Sequence, residues 1–227
     1  MRVFAIDTAL EACSAAVLDT GHGAIVAHES IPMARGHAEA LMPLIARVIA
    51  ASKLDFSQID RFAVTTGPGS FTGLRVGIAA ARGLGLAAAK PVIGLSTLAA
   101  FAAPLIAADA TIPVVVAIDA RHDHVYLQVF ASGARTLVTP RVVRLAEALQ
   151  LARGGAPRII GSAAKMLAAL WLGPDRPPTS VDAATAPEIG WVARLGAAAD
   201  ENASPPKPFY LRPPDAQPQH AAQLARR

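Results

Sequence analysis

The chain has 227 residues, of which 53% are apolar and only 5% aromatic, so the composition predicts a sizeable core of small and aliphatic side chains and excludes a disordered chain. The net charge is +4, and the basic residues are scattered singly apart from the terminal Arg226–Arg227, which argues against a surface dedicated to nucleic acid. A single cysteine, Cys13, excludes an intrachain disulfide, and no apolar run approaches the roughly 18 residues of a membrane span, so we expect a soluble, cytoplasmic protein without a membrane partner.

The first hundred residues are predicted to fold in the order βββαβα, followed by a fifth strand. Short apolar runs separated by polar turns indicate the strands, and Leu41, Ile45, Val48 and Ile49, which share one helical face, indicate the first helix. In chain order, the predicted elements are Val3–Ile6, Cys13–Leu18, Ala24–Ser30, His37–Ala51, Arg61–Thr66, Gly73–Ala89 and Pro91–Ser96.

The second half also mixes strands and helices, which makes the whole chain a two-lobed α/β protein with lobes at 1–100 and 101–227. Its predicted strands are Ile112–Ala120, His124–Phe130 and Pro157–Ser162, and its predicted helices are Leu145–Ala152, Ala163–Leu172 and Pro187–Ala199. Thr185 and Glu188 have the spacing of a capping box for the last helix. The proline-rich tail from Ser204 is expected to run extended, with its last ten or so residues disordered. We detect no clean internal sequence repeat.

The stretch TTGPGSFTGLRVG, residues 65–77, is the densest glycine signal in the chain and follows a predicted strand. It lacks the lysine of a Walker loop, and Thr72 stands where a Rossmann fingerprint needs its third glycine. The free N–H groups at the start of the following helix can still accept an anion, which makes Ser70 and Thr72 candidate nucleotide or anion contacts. Asp7 and Thr8, which end the first strand, are candidates for holding Mg²⁺ or phosphate, although an Asx turn explains them as well.

The helix that follows this turn carries small residues spaced by four, namely Gly73, Gly77, Ala81, Gly85 and Ala89. Residues four apart share one helix face, so this stripe permits close packing either on the chain's own sheet or on a partner helix. If the stripe instead packs on a partner helix, we expect the two helices of the first lobe to form a docking surface for another protein. Its expected contacts are the apolar side chains Leu41, Ile45 and Val48, the smooth strip Gly73, Gly77 and Ala81, and Arg75 as a polar edge contact.

No catalytic constellation stands out in the sequence. His122 and His124 lie at strand spacing with Asp119 nearby, but two imidazoles do not make a metal site, so no metal is expected. The serines lack a Gly-x-Ser-x-Gly context, and Cys13 lies in an apolar run, where a thiol is inert.

Several stretches taken together resemble the TsaB (YeaZ) family over nearly the full chain. They are FAIDT, CSAAVL, HAEALMPLI, TTGPGSFTGLRVGIAAARGLG, PVIGLSTL, AIDARHDHVY and KPFYLR, and they occur in the family's order. The resemblance implies the ASKHA fold of actin, Hsp70 and sugar kinases. It also implies a role in making N6-threonylcarbamoyladenosine at position 37 of tRNA. In that family the catalytic subunit is TsaD, which TsaB contacts through N-lobe helices, while a TsaE-like ATPase joins the complex and tRNA is contacted only indirectly.

One departure from TsaD-like proteins bears on catalysis. Those proteins carry a metal-binding His-x-x-x-His motif after the strand that corresponds to Pro91–Ser96, and Thr97 and Phe101 stand at the two ligand positions here. The resemblance therefore implies an accessory subunit with no catalytic residue, no metal and no resident cofactor, with ATP or ADP only at the interface of the complex. When the partner is absent, a homodimer through the same surface and a monomer both stay open as the state of the chain. The alternative function is a small ASKHA-type ATPase or kinase that uses Asp7 and Thr8, or a glycoprotease-like peptidase.

Overall fold

Residues 1–171 and 176–212, which the computed structural model describes, form two lobes that are each built on a five-stranded sheet. The strands of the first sheet are β1 (Arg2–Asp7), β2 (Ala12–Asp19), β3 (Ala24–Pro32), β4 (Arg61–Gly67) and β5 (Val92–Ser96). Those of the second are β6 (Val114–Asp119), β7 (His124–Phe130), β8 (Thr136–Arg144), β9 (Arg158–Ile160) and β10 (Ser180–Asp182). The helices are α1 (His37–Ser52), α2 (Phe71–Ala88), α3 (Thr97–Ala108), α4 (Leu145–Ala152), α5 (Ala164–Ala169) and α6 (Ile189–Ala198).

The two sheets have the same topology. The strand order is β3-β2-β1-β4-β5 in one sheet and β8-β7-β6-β9-β10 in the other. In each sheet the first three strands pair antiparallel, the fourth strand pairs parallel with the first, and the fifth strand pairs parallel with the fourth. Each lobe is therefore one copy of a βββαβαβα unit. This confirms the predicted two-lobed α/β fold and reveals the internal repeat that the sequence did not show.

Each sheet buries both of its faces, and the alternation of side chains along the first strand of each unit shows how. Phe4 and Ile6 of β1 pack under α1 and α2, whereas Val3 and Ala5 face α6 on the other side. In β6 the residues alternate in the same way between the α4–α5 side and the α3 side. This period of two is what a strand buried on both faces requires.

The third helix of each unit lies between the lobes. Helix α6 packs on the first sheet, although it ends the second unit, while Leu98 and Phe101 of α3 pack on the second sheet. The lobe boundary predicted at residue 100 therefore falls inside α3, and the two lobes exchange their last helices. An arginine at the start of the fourth strand caps each exchanged helix. Arg61 donates to the carbonyls of Gly196 and Ala199, and Arg158 donates to those of Leu105, Asp109 and Ile112.

Three elements were missed by the sequence patterns, and each has a physical reason. Helix α3 is buried between the lobes and is apolar all round, so it lacks the polar face that marks an amphipathic helix. Strand β8 contains Pro140, which is tolerated because β8 lies at a sheet edge. Strand β10 has only 3 residues.

The predicted capping box of α6 is wrong. The helix begins at Ile189, so Glu188 is itself the N-cap, and it makes no side-chain capping hydrogen bond, while Thr185 lies outside the helix. The tail follows its prediction over residues 204–210, which run without helix or strand. The expected disorder of the last ten or so residues lies outside the described part of the chain. Within the described residues, no helix combines the length and the apolar character that crossing a membrane requires.

Candidate functional site

The glycine-rich turn between β4 and α2 packs against the backbone at the end of β1 and forms hydrogen bonds with it. The N–H of Ser70 donates to the carbonyl of Ala9 at 2.7 Å, and the hydroxyl of Thr8 donates to the carbonyl of Gly73 at 2.7 Å. A Cβ atom on Gly69 would overlap the carbonyl oxygen of Ala9, and one on Gly73 would overlap that of Thr8. These glycines are therefore needed because the end of β1 passes directly against the turn, in the space where a phosphate loop holds its ligand.

Asp7 lies at the end of β1 beneath this turn and is fully buried. Its Oδ1 accepts hydrogen bonds from the Ala9 N–H at 3.2 Å and from the Thr65 hydroxyl, while Oδ2 has no hydrogen-bond partner among the described residues. Burial raises the pKa of Asp7 to about 6, although the hydrogen bonds from Thr65 and Ala9 and the nearby His37 act in the opposite direction. The buried carboxylate holds an Asx turn and does not face solvent.

Two of the four candidate nucleotide or anion residues, Asp7 and Thr8, do not face solvent, which corrects that part of the prediction. Asp7 and Thr8 are buried, and the Ser70 hydroxyl caps α2 by accepting the Gly73 N–H at 3.3 Å. Ser70 and Thr72 both line the cleft between the lobes, and Thr72 is exposed there. The separation arises because the end of β1 itself fills the space beside the glycine turn.

The side chains predicted to contact a partner are also buried within the first lobe. Leu41, Ile45 and Val48 are each at most 2% exposed and belong to the core under α1 and α2. In the small-residue stripe, a Cβ on Gly77 would overlap the hydroxyl of Thr8, and Ala81 is completely buried. The stripe therefore packs on the chain's own sheet, which is the first of the two alternatives that the spacing allowed. The assignment of six residues to a partner surface is wrong, namely Leu41, Ile45, Val48, Gly73, Gly77 and Ala81.

Helices α1 and α2 each carry a further row of residues spaced by four, and these two rows face outward. On α1 the exposed residues spaced by four are Ala38, Met42, Ala46 and Ala50, and on α2 they are Arg75, Ala79, Gly83 and Ala87. Their surface includes the large apolar side chains of Met42, which is 53% exposed, and Leu86, which is 85% exposed. We call these residues the outer helix face. The spacing of four is visible in the sequence for this stripe too, but the stripe with more glycines, on the opposite side of α2, is the stronger signal of close packing.

Arg75 is the one predicted contact that lies on the outer helix face. Its guanidinium lies 3.7 Å from the centre of the Phe71 ring, and its Nε donates to the hydroxyl of Tyr210 at 3.3 Å. The Tyr210 and Phe71 rings are 4.9 Å apart. The C-terminal segment thus reaches the first turn of α2, which sequence reasoning did not anticipate.

The cleft between the lobes has a volume of about 610 Å³ and is lined by both lobes and by residues 209–212. On the second lobe it is bordered by the turn between β6 and β7, where Arg121, His122 and Asp123 all adopt left-handed backbone angles. The His124 ring contacts the His122 carbonyl through Nδ1 at 2.6 Å. No cluster of three or more histidine, cysteine or acidic side chains that fits a metal occurs within residues 1–171 and 176–212.

Thr97 and Phe101 lie one turn apart on α3, as their spacing predicts. Thr97 is fully buried in the first turn of the helix, and its hydroxyl has no hydrogen-bond partner among the described residues. Phe101 is 1% exposed and packs against the second sheet with Leu98. A phenyl ring therefore fills the second of these positions as part of the core between the lobes.

One family model and several curated proteins match the sequence of the chain. The family model of TsaD, tRNA N6-adenosine threonylcarbamoyltransferase, matches residues 25–180. The tRNA threonylcarbamoyladenosine biosynthesis protein TsaB of Escherichia coli K12 is 42% identical over 127 residues, which are 56% of this chain and 53% of that protein. The matched part thus spans about half the length of that relative. An uncharacterized protein of Mycobacterium tuberculosis H37Rv is 36% identical over 221 residues, 95% of this chain and 94% of that protein.

The fold agrees with these sequence matches. A solved structure of YeaZ from Pseudomonas aeruginosa has a TM-score of 0.75 and 25% identity to this chain, and the match covers 92% of this chain and 99% of that one. The doubled sheet topology and this match confirm the ASKHA fold that the resemblance implied. The chain therefore belongs to the TsaB (YeaZ) family, within the wider group that the TsaD family model covers.

Proposed function

We propose that this chain is the non-catalytic subunit that docks a TsaD-like catalytic subunit in the synthesis of N6-threonylcarbamoyladenosine at position 37 of tRNA. The proposal is supported by the name of the Escherichia coli relative, a tRNA threonylcarbamoyladenosine biosynthesis protein, and by the match to the TsaD family model. The observation that carries the docking role is the outer helix face, a paired surface of small and apolar side chains on two adjacent helices.

The outer helix face has the properties of a helix-docking surface. Ala38, Ala46, Ala79 and Gly83 carry little or no side chain, so partner helices can approach closely along both stripes. Met42 and Leu86 project from this surface and supply the large apolar area that interface hot spots need. The partner therefore contacts α1 and α2 as first expected, but through the residues opposite those that the sequence patterns selected.

The transfer reaction is assigned to the TsaD-like partner because this chain has Thr97 and Phe101 at the positions of the two metal-binding histidines. A threonine hydroxyl and a phenyl ring replace the two imidazoles of the TsaD-like motif, and a phenyl ring offers no lone pair to a metal. In this proposal the chain holds no resident cofactor, and ATP or ADP binds only at the interface of the complex. A TsaE-like ATPase joins the assembly, and tRNA is contacted through the complex.

Docking is tested with full-length protein and the TsaD-like subunit of the same organism. Ala79→Arg and Met42→Arg place a long charged side chain on the outer helix face, so each should weaken the complex by about 100-fold or more. The control is Leu137→Arg on β8, where the leucine is 55% exposed, and it should leave affinity unchanged. Calorimetry measures affinity, and melting temperatures show that each variant is folded. Unchanged binding by folded Ala79→Arg and Met42→Arg would contradict the proposal.

The same variants test the homodimer, which in this proposal uses the same surface when the partner is absent. Sedimentation of the isolated chain should show a dimer that both outer-face substitutions dissociate and Leu137→Arg does not. Reconstitution tests the division of labour, because modified adenosine should form only when the TsaD-like subunit is present. Tight Mg-ATP binding by the isolated chain would instead favour the alternative ATPase or kinase, and hydrolysis of a peptide substrate would favour the peptidase.

A further inference from the structure

Residues 204–212, which we call the C-terminal strap, run across the carboxyl ends of two strands of the first sheet. The N–H of Gly94 in β5 donates to the carbonyl of Ser204 at 2.8 Å, and the N–H of Phe209 donates to the carbonyl of Thr66 in β4 at 2.7 Å. These bonds join main chain to main chain, so they fix the path of the strap independently of its side chains.

Two glycines are matched to this path. A Cβ atom on Gly67 would lie 2.5 Å from the carbonyl oxygen of Phe209, and one on Gly94 would overlap the carbonyl oxygen of Pro205. Gly67 also has a φ of 122°, which side chains other than glycine rarely adopt. Both strands therefore lack a side chain at the points where the strap lies on them, which indicates that contact with the strap is built into the sheet.

The far end of the strap contacts both lobes at the cleft. The Tyr210 ring packs 4.9 Å from the Phe71 ring, and its hydroxyl accepts a hydrogen bond from Arg75 on the outer helix face. Two residues later, the Arg212 guanidinium donates to the carbonyl of Ala120 at 2.8 Å, in the turn of the second lobe that borders the cleft. One short segment thus connects the first turn of α2 to the opposite wall of the cleft.

We propose that the C-terminal strap is a latch that holds the two lobes at a fixed angle and positions the first turn of α2. The exchanged helices α3 and α6 already join the lobes, and the strap adds a further connection beside the cleft. A further connection at a separate point restricts a hinge motion that the helices alone permit. Tyr210 and Arg212 are positioning residues, and their effect on the partner, which rests on the proposed function, arises because Arg75 and Phe71 are held ready for docking.

The lobe angle is tested on the isolated full-length chain by measuring the distance between two spin labels. Lys53→Cys after α1 and Lys165→Cys on α5 supply exposed labelling sites, whereas the native Cys13 is fully buried and stays unlabelled. The distance distribution should about double in width when Tyr210→Ala and Arg212→Ala are combined, because the hinge is released. Arg141→Ala, an exposed arginine on β8, is the matched control and should leave the distribution unchanged.

Affinity for the TsaD-like subunit provides the second measurement. Tyr210→Ala should weaken the complex about tenfold, and Tyr210→Phe, which keeps the ring but loses the hydroxyl, should weaken it less. An unchanged label distribution in the folded double variant would overturn the latch, whether or not affinity falls. If the parent chain does not bind the partner at all, the proposed function fails while the label distances still decide the latch.

Discussion

The first strands of the two lobes end in the same three residues but in opposite surroundings. Ala5-Ile6-Asp7 ends β1 and Ala117-Ile118-Asp119 ends β6, and each aspartate accepts the N–H two residues further on, at 3.2 Å in Asp7 and 2.8 Å in Asp119. Asp7 is fully buried under the glycine turn, whereas Asp119 is exposed at the cleft. The local sequence thus determines the Asx turn, and the neighbouring elements determine whether its carboxylate meets water.

The comparison extends to the turns after the fourth strands. In the first lobe the Ser70 N–H bonds the Ala9 carbonyl, and in the second the Ala163 N–H bonds the Ala117 carbonyl at 3.1 Å. A glycine permits the close approach in both lobes, since a Cβ on Gly161 would overlap the carbonyl oxygen of Ala117. Close approach of a turn glycine to the first strand thus occurs in both lobes, but at different points: Ala9 lies two residues after Asp7, whereas Ala117 lies two residues before Asp119.

The lobes differ most in the helix that follows this turn. Helix α2 has 18 residues, whereas its counterpart α5 has 6. Only the longer helix can present four positions spaced by four along one outward face. The same fold unit therefore carries the proposed docking surface in one lobe and not in the other.

The largest effect is expected from the turn glycines. Gly161→Ala should lower the free energy of unfolding by about 3 kcal/mol, because the new Cβ meets backbone and the residue keeps a φ of 117°. Gly69→Ala, which has the backbone overlap without the positive φ, should lower it by about 2 kcal/mol. Urea unfolding measures both values. A neutral effect of either substitution would show that the turn in that lobe does not need a glycine beside the first strand.

The arginine caps are expected to come next. Arg158→Met should lower the free energy of unfolding by about 3 kcal/mol, because two carbonyls at the end of α3 and that of Ile112 before β6 lose a buried donor. Arg61→Met removes bonds to two carbonyls at a less buried position and should lower it by about 1 to 2 kcal/mol. Hydrogen exchange should locate the loss at the end of α3 in the first variant and of α6 in the second. Hydrogen exchange that rises uniformly along the chain in both variants would argue against local capping by the two arginines.

The equivalent aspartates of the two lobes, Asp7 and Asp119, give a prediction about the pH dependence of stability. Because the pKa of Asp7 is raised to about 6 in the folded protein, the folded state binds more protons than the unfolded state between about pH 4 and 6. The free energy of unfolding attributable to Asp7 therefore falls as pH rises through this window and stays low above it.

Asp7→Asn removes the buried charge and should raise the free energy of unfolding at pH 7 by about 1 to 3 kcal/mol, with no gain below about pH 4. Asp119→Asn, the exposed counterpart, should change it by less than about 0.5 kcal/mol at pH 7. Urea unfolding at a series of pH values measures both. A gain from Asp7→Asn that is equal at pH 4 and pH 7 would show that the carboxylate is not destabilised by its burial.

The smallest effect is expected at Gly83, on the outward side of α2. A Cβ there meets nothing within 4 Å, so Gly83→Ala should raise the free energy of unfolding by about 0.5 to 1 kcal/mol through helix propensity alone. Gly77→Ala on the inward side should lower it, because the Cβ meets the Thr8 hydroxyl. Thermal melts compare the two variants. Equal effects would contradict the assignment of inner and outer faces.

Sequence patterns placed the elements of the first lobe to within two residues at each end, from β1 to β5, because its strands and helices are separated by clear polar turns. The resemblance to the TsaB (YeaZ) family and the ASKHA fold was also accessible from the order of the motifs. The site residues were not. A stripe of small residues predicts close packing, but the stripes at Gly77 and at Gly83 satisfy the same spacing rule, so spacing alone cannot say which one faces the sheet.

By itself, therefore, the sequence determined local geometry and family: the strands of the first lobe, α1, α2, the tight glycine turn and the Asx turn at Asp7. Tertiary structure decided everything that depends on which surfaces meet. It exchanged α3 and α6 between the lobes, buried Leu41 and Gly77, and brought Tyr210 to Arg75 across 135 positions of the chain. The physical reason is that hydrogen bonds within a turn or helix are encoded by neighbours in sequence, whereas burial is set by elements distant in the chain.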